Sequence, residues 1–178
     1  MKTNSYKLLS ELTSIIKQNI EDIKSFQNLD DNKLNFKPSP ERWSVLECLE
    51  HLNRYSDFYL PEIKKALHHP VDSRDYFKSG IIGNMLVNMV IPKPGGKKMK
   101  TFTSMNPNGS MLGRYVLEKN IENQEFLLEF IQRASKSNLN KSGIPVTFSP
   151  FIKLKLGDTL RFMAYHNQRH TEQALRNL

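Results

Sequence analysis

Two histidines near the end of the chain have the spacing of a metal site. His166 and His170 are four residues apart in a segment that holds no Pro and, after Gly157, no Gly. On an α-helix this spacing rotates the two side chains by roughly 40° and shifts them by about 6 Å along the axis, so both imidazoles project from one face. Two imidazoles fill only part of a coordination sphere. The best third ligand is His51, which also lies in a strongly helical segment, and these three histidines form our candidate metal site.

The same histidines also have a simpler interpretation. A histidine on a helix is more often a surface or hydrogen-bonded residue than a ligand, and His68 and His69 are expected only to interact with a helix C-terminus. His166 and His170 differ because we expect them on the inner face of their helix. Buried imidazoles need partners, and one metal ion satisfies two of them at once. The alternative is a set of polar core residues that holds no metal.

Length and composition indicate one globular domain spanning residues 1–178. Hydrophobic residues make up 38% of the chain and charged residues 25%, which is typical of a folded protein and not of a disordered one. The single cysteine, Cys48, cannot form an internal disulfide, so we expect a cytoplasmic protein. The N-terminal residues lack the apolar core of a secretory signal, and no apolar segment is long enough to span a bilayer.

The formal net charge of +8 raises the question of an anionic partner. The densest basic cluster is the loop segment 93–100, with Lys93, Lys97, Lys98 and Lys100. Because no aromatic residues are interleaved with these lysines, the segment does not resemble a binding platform for single-stranded nucleic acid. We therefore expect no nucleic-acid partner. If this loop folds over the histidines, its charge could help capture an anionic thiol cofactor.

Hydrophobic periodicity predicts four long helices. The first runs from Asn4 to Phe26, and the second begins at a capping box formed by Ser44 and Glu47 and ends at about His68. The third covers residues 110–134, and the fourth is capped by Asp158 and includes His166 and His170. His51 is expected at the margin of the buried face of the second helix. Phe36 and Trp43, which precede that helix, are expected to fold back onto the end of the bundle.

The segment between the second and third helices is too long for a simple turn. Ile81 to Val90 has the pattern of a short helix of about three turns, and the remainder up to Pro107 is predicted as loop. A connection of this length suits a lid, or a crossover between parallel or diagonal helices, and we favour the crossover. The fold class is therefore all-α, a four-helix bundle with one long crossover connection and at most short extended pieces after Ser137.

The chain resembles the DinB-like superfamily, in particular its YfiT-like branch. The resemblance rests on the Pro-rich lead-in of residues 37–44, on the second helix with Glu47-Cys48-Leu49-Glu50-His51-Leu52, and on the last helix with His166-Asn167-Gln168-Arg169-His170-Thr171-Glu172-Gln173. It covers essentially the whole chain in element order. It implies a four-helix bundle that holds a divalent metal through one histidine of the second helix and two of the fourth, which here are His51, His166 and His170.

The resemblance also implies a chemistry. It implies a metal-dependent hydrolase or, as in some relatives, a transferase that joins a low-molecular-weight thiol such as bacillithiol to an electrophile. Three imidazoles leave coordination positions open for water or substrate, and Zn, Ni, Fe and Mn all accept such ligands. Glu47 could act as a general base, although its capping role explains it equally well, and Asn167 and Gln173 could orient the imidazoles.

A different class of function stays open at this stage. The bundle could be a non-catalytic, metal-stabilised interaction module, with a homodimer as one form it could take. A serine hydrolase is disfavoured because the chain lacks the Gly-x-Ser-x-Gly elbow and the strands that would hold it. If the protein is an enzyme, we expect a small-molecule substrate.

Overall fold

The computed structural model describes residues 1–68, 73–93 and 101–178. The helices are α1 (Ser5–Ser25), α2 (Asp31–Asn35), α3 (Val45–Leu67), α4 (Ile81–Val90), α5 (Tyr115–Arg133) and α6 (Leu156–Leu175). The strands are β1 (Lys2–Asn4), β2 (Tyr76–Lys78), β3 (Ser142–Val146) and β4 (Ser149–Lys155). Single 3₁₀ turns lie at Phe26–Asn28, Thr103–Met105 and Ala134–Lys136.

The four long helices form the predicted bundle. Helix α3 packs against α5 and α6, and α1 packs against the same two helices, so α1 and α3 occupy opposite corners. The start of α3 shares a hydrophobic cluster with the start of α5, the end of α1 and the end of α6. Helices α3 and α5 are therefore parallel neighbours. Their connection has to return along the length of the bundle, which confirms the all-α fold with one long crossover.

Capping residues start two of these helices where the sequence predicts. The Asn4 side chain accepts a hydrogen bond from the Lys7 amide at 3.0 Å and caps α1. At the start of α3, the Glu47 amide donates to Ser44 Oγ at 3.1 Å and the Ser44 amide donates to Glu47 Oε2 at 2.9 Å. This reciprocal pair is the predicted capping box.

The predicted cap of the last helix is wrong. Strand β4 runs directly into α6, so the N-cap position falls at Lys155 and Asp158 lies inside the first turn. The Asp158 carboxylate instead accepts hydrogen bonds from the Ser79 hydroxyl and the Gly80 amide, and it pairs with Arg161 at 3.3 Å. This buried group fixes the start of α4 to α6. At Gly83 in α4, a Cβ would overlap the Asp158 carboxylate, so glycine permits the close approach.

Several other boundaries differ from the prediction. Helix α5 begins at Tyr115 and not at residue 110, because Arg114 is bound to Asp31 at 2.7 Å and to the carbonyls of the turn after α1. The short helix α2 was missed, although Asp30 caps it by accepting from the Lys33 amide at 2.8 Å. The predicted short helix at Ile81–Val90 is confirmed.

Two small antiparallel sheets were missed or underestimated. Strands β1 and β2 pair with Thr3 opposite Phe77, and β3 and β4 form a hairpin with Pro145 opposite Lys153. The hairpin replaces the short extended pieces expected after Ser137. Its sequence is broken by prolines and a glycine, and this pattern hides the strand periodicity.

The core consists of two hydrophobic clusters that meet near the middle of the bundle. One contains the first half of α1, the second half of α3 and the first half of α6, and the other contains the opposite ends of these helices. Between the clusters lie buried polar residues of all four long helices, which are Asn19, His51, Asn53, Asn120, Asn123, Gln124, His166, Asn167, His170 and Thr171. The candidate metal ligands belong to this polar layer. No helix within the described ranges is both long and apolar enough to cross a membrane.

Candidate metal centre

The three predicted histidines lie together inside the bundle. Each offers a ring nitrogen, and these nitrogens all lie within 4.8 Å of one another. The closest pair is His51 Nε2 and His166 Nε2, at 3.2 Å. His51 is 2% exposed, His166 5% and His170 9%, so the expectation that His51 lies at the margin of the buried face is wrong. The i,i+4 spacing on α6 and the position of His51 on the neighbouring α3 produce this convergence.

A backbone carbonyl sets the orientation of His51. His51 Nδ1 lies 2.6 Å from the Met105 carbonyl oxygen. Because a carbonyl only accepts, Nδ1 must carry the proton, and the neutral ring then presents a lone pair at Nε2. That lone pair points toward the other two imidazoles. The sequence gives no signal for this contact, since it uses the main chain of Met105 and not its side chain.

His170 is oriented by a side-chain amide. Its Nδ1 lies 2.9 Å from Gln173 Oε1, which again places the proton on Nδ1 and leaves the lone pair on Nε2. The predicted orienting role of Gln173 is therefore supported by the structure. The same role for Asn167 is wrong, because its Nδ2 donates to the Met163 carbonyl at 2.7 Å and its Oδ1 has no hydrogen-bond partner in the described part of the chain.

The ring nitrogens of His166, unlike those of His51 and His170, are not fully satisfied by hydrogen bonds. Its Nε2 faces the acceptor Nε2 of His51, and its own Nδ1 is buried without a hydrogen-bond partner in the described part of the chain. His51 Nε2 is an acceptor, so at 3.2 Å either the His166 proton lies on Nε2 between the two nitrogens or a cation does. A metal ion bound by the three Nε2 atoms meets this requirement for all three rings, so the donor set fits a metal.

Burial keeps the three imidazoles neutral. Loss of hydration lowers the pKa of His51 to about 4. Burial, reinforced by the neighbouring histidines, lowers the pKa values of His166 and His170 well below the usual range. At neutral pH all three rings are therefore uncharged, each with a single ring proton, and the neutral imidazole is the form that binds metals.

Aromatic rings enclose the imidazoles. The Trp43 ring centroid is 4.7 Å from that of His51 and 5.6 Å from that of His170. Tyr55 lies 4.5 Å from His166. Trp43 thus folds back onto the bundle as predicted, whereas Phe36 is 56% exposed and does not. These apolar walls exclude water and strengthen electrostatic interactions inside the site.

No acidic or thiol ligand joins the histidines in residues 1–68, 73–93 and 101–178. The carboxylate of Glu47, considered above as a base, is engaged by the Ser44 amide, by Lys37 Nζ at 3.1 Å and by the Gly109 amide at 2.6 Å. It is therefore committed to the helix cap and to the chain segment before α5. Cys48 is fully buried, and burial raises the pKa of its thiol far above the usual range.

The hypothesis of a basic loop over the site concerns residues that the structure largely leaves undescribed. Lys97, Lys98 and Lys100 lie outside the described residues, and Lys93 is exposed. The proposed capture of an anionic thiol by this loop stays a prediction.

Comparison of the chain with known protein families finds one that matches. The family model described as the DinB superfamily matches residues 18–174. No curated protein and no solved structure gives a significant match. The matched region contains all four long helices in whole or in part, together with His51, His166 and His170. The chain belongs to the DinB superfamily.

Proposed function

We propose that this protein binds one divalent metal ion through the Nε2 atoms of His51, His166 and His170. The observation that carries the proposal is the convergence of three buried, neutral imidazoles, two of which have their Nδ1 protons committed to outer acceptors. These two rings present only an acceptor to the centre, and His166 presents one as well when its proton is on Nδ1. Zn, Ni, Fe and Mn are the candidate ions, because borderline divalent metals accept imidazole ligands.

The site supports thiol chemistry better than other reactions. Three neutral ligands leave the metal's charge uncompensated, and the bound ion supplies a Lewis acid that favours an anionic fourth ligand. A thiol, with an ordinary pKa near about 8.5, needs a smaller shift than water to ionise at neutral pH. This difference matters because no carboxylate base joins the imidazoles in the described part of the chain.

We therefore propose a transferase that joins a low-molecular-weight thiol of the bacillithiol type to a small electrophile. The thiol proton leaves to solvent, the sulfur forms a bond to the electrophilic carbon, and the bond from that carbon to its leaving group breaks. The protein holds the metal through the three histidines and excludes water with Trp43 and Tyr55. A cytoplasmic location, where such thiols are kept reduced, suits this reaction.

A metal-dependent hydrolase is the second candidate. It is favoured by the same donor set, because three protein ligands leave a coordination position for water, as in catalytic zinc sites. The non-catalytic, metal-stabilised module is the outcome that remains if neither reaction occurs.

Metal analysis of untagged protein followed by two assays tests these proposals. We expect about one metal ion per chain and turnover of a reactive electrophile that depends on added thiol. His166→Ala should lose both, whereas His68→Ala, which removes an exposed histidine at the end of α3, should lose neither. Ester hydrolysis without thiol would favour the hydrolase. Bound metal without either turnover would favour the interaction module, and protein that takes up no metal would overturn the metal site itself.

A further inference from the structure

The last part of the crossover is fastened to α3 beside the candidate metal centre. Arg54 Nη1 donates to the Asn106 carbonyl at 3.0 Å and to the Ser104 carbonyl at 3.3 Å. The carbonyl between these two belongs to Met105 and accepts the His51 Nδ1 proton at 2.6 Å. Three consecutive carbonyl groups are therefore held by two residues of a single turn of α3.

Arg54 is itself held in place on that turn. Its Nε donates to Glu50 Oε1 at 3.0 Å, four residues earlier on α3. The planar guanidinium can donate in several fixed directions at once, so one edge binds the carboxylate and Nη1 binds the two carbonyls. The side chains of Arg54 and Glu50 are 30% and 19% exposed, so the pair is partly shielded from water.

A second pair in the chain shows that this arrangement is more than an ordinary helix-surface ion pair. Arg133 and Glu129 on α5 have the same order and spacing, with Nη1 and Oε1 3.1 Å apart. The Arg133 guanidinium, however, lies over the Phe130 ring of its own helix. The Arg54 guanidinium instead joins its helix to a segment fifty residues later in the chain.

We infer that Arg54 is a positioning residue of the metal centre: by clamping the Ser104 and Asn106 carbonyls to α3, it holds the Met105 carbonyl where that group fixes the His51 ring. The inference rests on the proposed metal-binding function. With the clamp in place, His51 is held as the Nδ1–H tautomer with Nε2 turned toward His166 and His170. Without the clamp, the carbonyl can move away, and His51 can rotate or exchange its tautomer. Residues that orient a ligand in this way typically contribute about 10- to 100-fold to metal affinity.

Because Arg54 is charged, the direction of the change in metal affinity distinguishes loss of its charge from loss of the clamp. Removal of a nearby positive charge should by itself strengthen the binding of a dication, whereas loss of the clamp should weaken it. Arg54→Met removes both the charge and the donors. Arg54→Lys keeps the charge but lacks the planar fork that reaches the carboxylate and both carbonyls. Arg133→Met is the matched control on α5.

The experiment is a titration of the metal-free protein with Co²⁺, with affinity measured by chelator competition and the ligand geometry followed by the visible spectrum. We expect wild type and Arg133→Met to bind one equivalent with the same affinity and spectrum. Both Arg54 variants should bind about 10- to 100-fold more weakly, with a shifted spectrum. Arg54 variants that match the control, or an Arg54→Met protein that binds more tightly, would overturn the inference. Wild type that binds no Co²⁺ would overturn both the inference and the proposed function.

A measurement on the wild type alone covers the case in which the Arg54 variants fail to fold. Long-range ¹H–¹⁵N spectra of the metal-free protein report which imidazole nitrogen carries the proton. We expect His51 to be protonated at Nδ1 and to hold that proton against exchange with solvent, because the clamped carbonyl covers it. A His51 ring protonated at Nε2, or an Nδ1 proton that exchanges as fast as that of a free imidazole, would contradict the clamp.

Discussion

Helix α3 carries two buried polar clusters on opposite faces, and they differ in how their polar atoms are satisfied. Asn53 accepts hydrogen bonds at Oδ1 from Asn120 at 2.9 Å and from Asn123 at 3.1 Å, and it donates to the Val116 carbonyl at 3.0 Å. His51 precedes Asn53 by two residues, which on a helix places it roughly 200° away. Its Nε2 faces another ring nitrogen.

The difference follows from the chemistry of the two side chains. An amide has both donors and acceptors, so a group of asparagines can satisfy itself. A neutral imidazole whose Nδ1 proton is already committed offers only an acceptor on its other side. The three asparagines therefore satisfy one another, whereas the facing ring nitrogens of His51 and His166 need a proton or a cation between them. Position in the bundle does not distinguish the two, because both lie where the two hydrophobic clusters meet.

The largest difference between the two clusters should appear in the stability that the protein gains when metal is added. At a free metal concentration about a thousand times the dissociation constant, binding to the folded state alone adds about 4 kcal/mol of stability. For a chain of this size we expect a rise in Tm of roughly 10 °C, reversed by a chelator. Differential scanning calorimetry measures it. His170→Ala should abolish the rise and Asn53→Leu should keep it. An equal rise in His170→Ala would mean that the metal binds elsewhere.

Acid should destabilise the metal-free protein through the histidines and not through the amides. The folded-state pKa of His51 is about 4, below the ordinary value of 6.5. Between these values the unfolded chain binds a proton that the folded chain does not. Stability is therefore complete above about pH 6.5 and falls as the pH drops toward 4, by roughly 3 kcal/mol for this residue.

Urea unfolding of the metal-free protein at several pH values tests this expectation. His51→Gln removes the titrating group and should flatten the part of the pH dependence that depends on this residue. The difference in unfolding free energy between wild type and variant should therefore shrink or change sign as the pH falls. A constant difference from pH 7 to pH 4 would show that His51 is not held neutral by burial.

Disruption of the amide cluster should change stability without changing metal affinity. Asn53→Leu removes the acceptor of Asn123 and one of two acceptors of Asn120, which keeps the Leu49 carbonyl at 3.2 Å. It also removes the donor to the Val116 carbonyl, and the loss costs about 2 to 3 kcal/mol. Urea unfolding measures the loss, and Co²⁺ titration should give the wild-type affinity. Asn32→Leu, on the exposed surface of α2, is the control and should change stability by less than about 0.5 kcal/mol. A large change in metal affinity in Asn53→Leu would show that the two clusters are coupled.

Features that depend on local periodicity and capping can be predicted from the sequence. Contacts made by main-chain atoms of distant residues cannot. The spacing of His166 and His170 and the Ser44–Glu47 capping box are local, and the structure contains both. The acceptor of His51 is a backbone carbonyl of Met105, fifty-four residues away, which leaves no trace in residue type. The hairpin was hidden because Pro145 and Gly143 interrupt its pattern.

Hydrophobic periodicity also overestimates how deeply aromatic side chains and residues near helix ends are buried. The periodicity places Tyr115 and Phe126 on the packing face of the third helix, but the two side chains are 62% and 44% exposed. The helix begins five residues later than predicted, at Tyr115, because Arg114 binds the segment after α1. The buried face of α5 instead includes the amides of the polar layer, which a search for apolar residues passes over.

The smallest expected effect concerns the side chain that orients His170. Gln173→Leu removes the acceptor of the His170 Nδ1 proton and should weaken Co²⁺ binding by about 10-fold. Gln173→Glu provides a charged acceptor, makes the imidazole a stronger ligand, and should bind at least as tightly as wild type. Gln168→Leu, which breaks a contact with Glu172 on the same helix, is the matched control and should leave affinity unchanged. If Gln173→Leu binds like this control, His170 is held by packing against Trp43 and not by the amide, and only His51 depends on a hydrogen bond for its orientation.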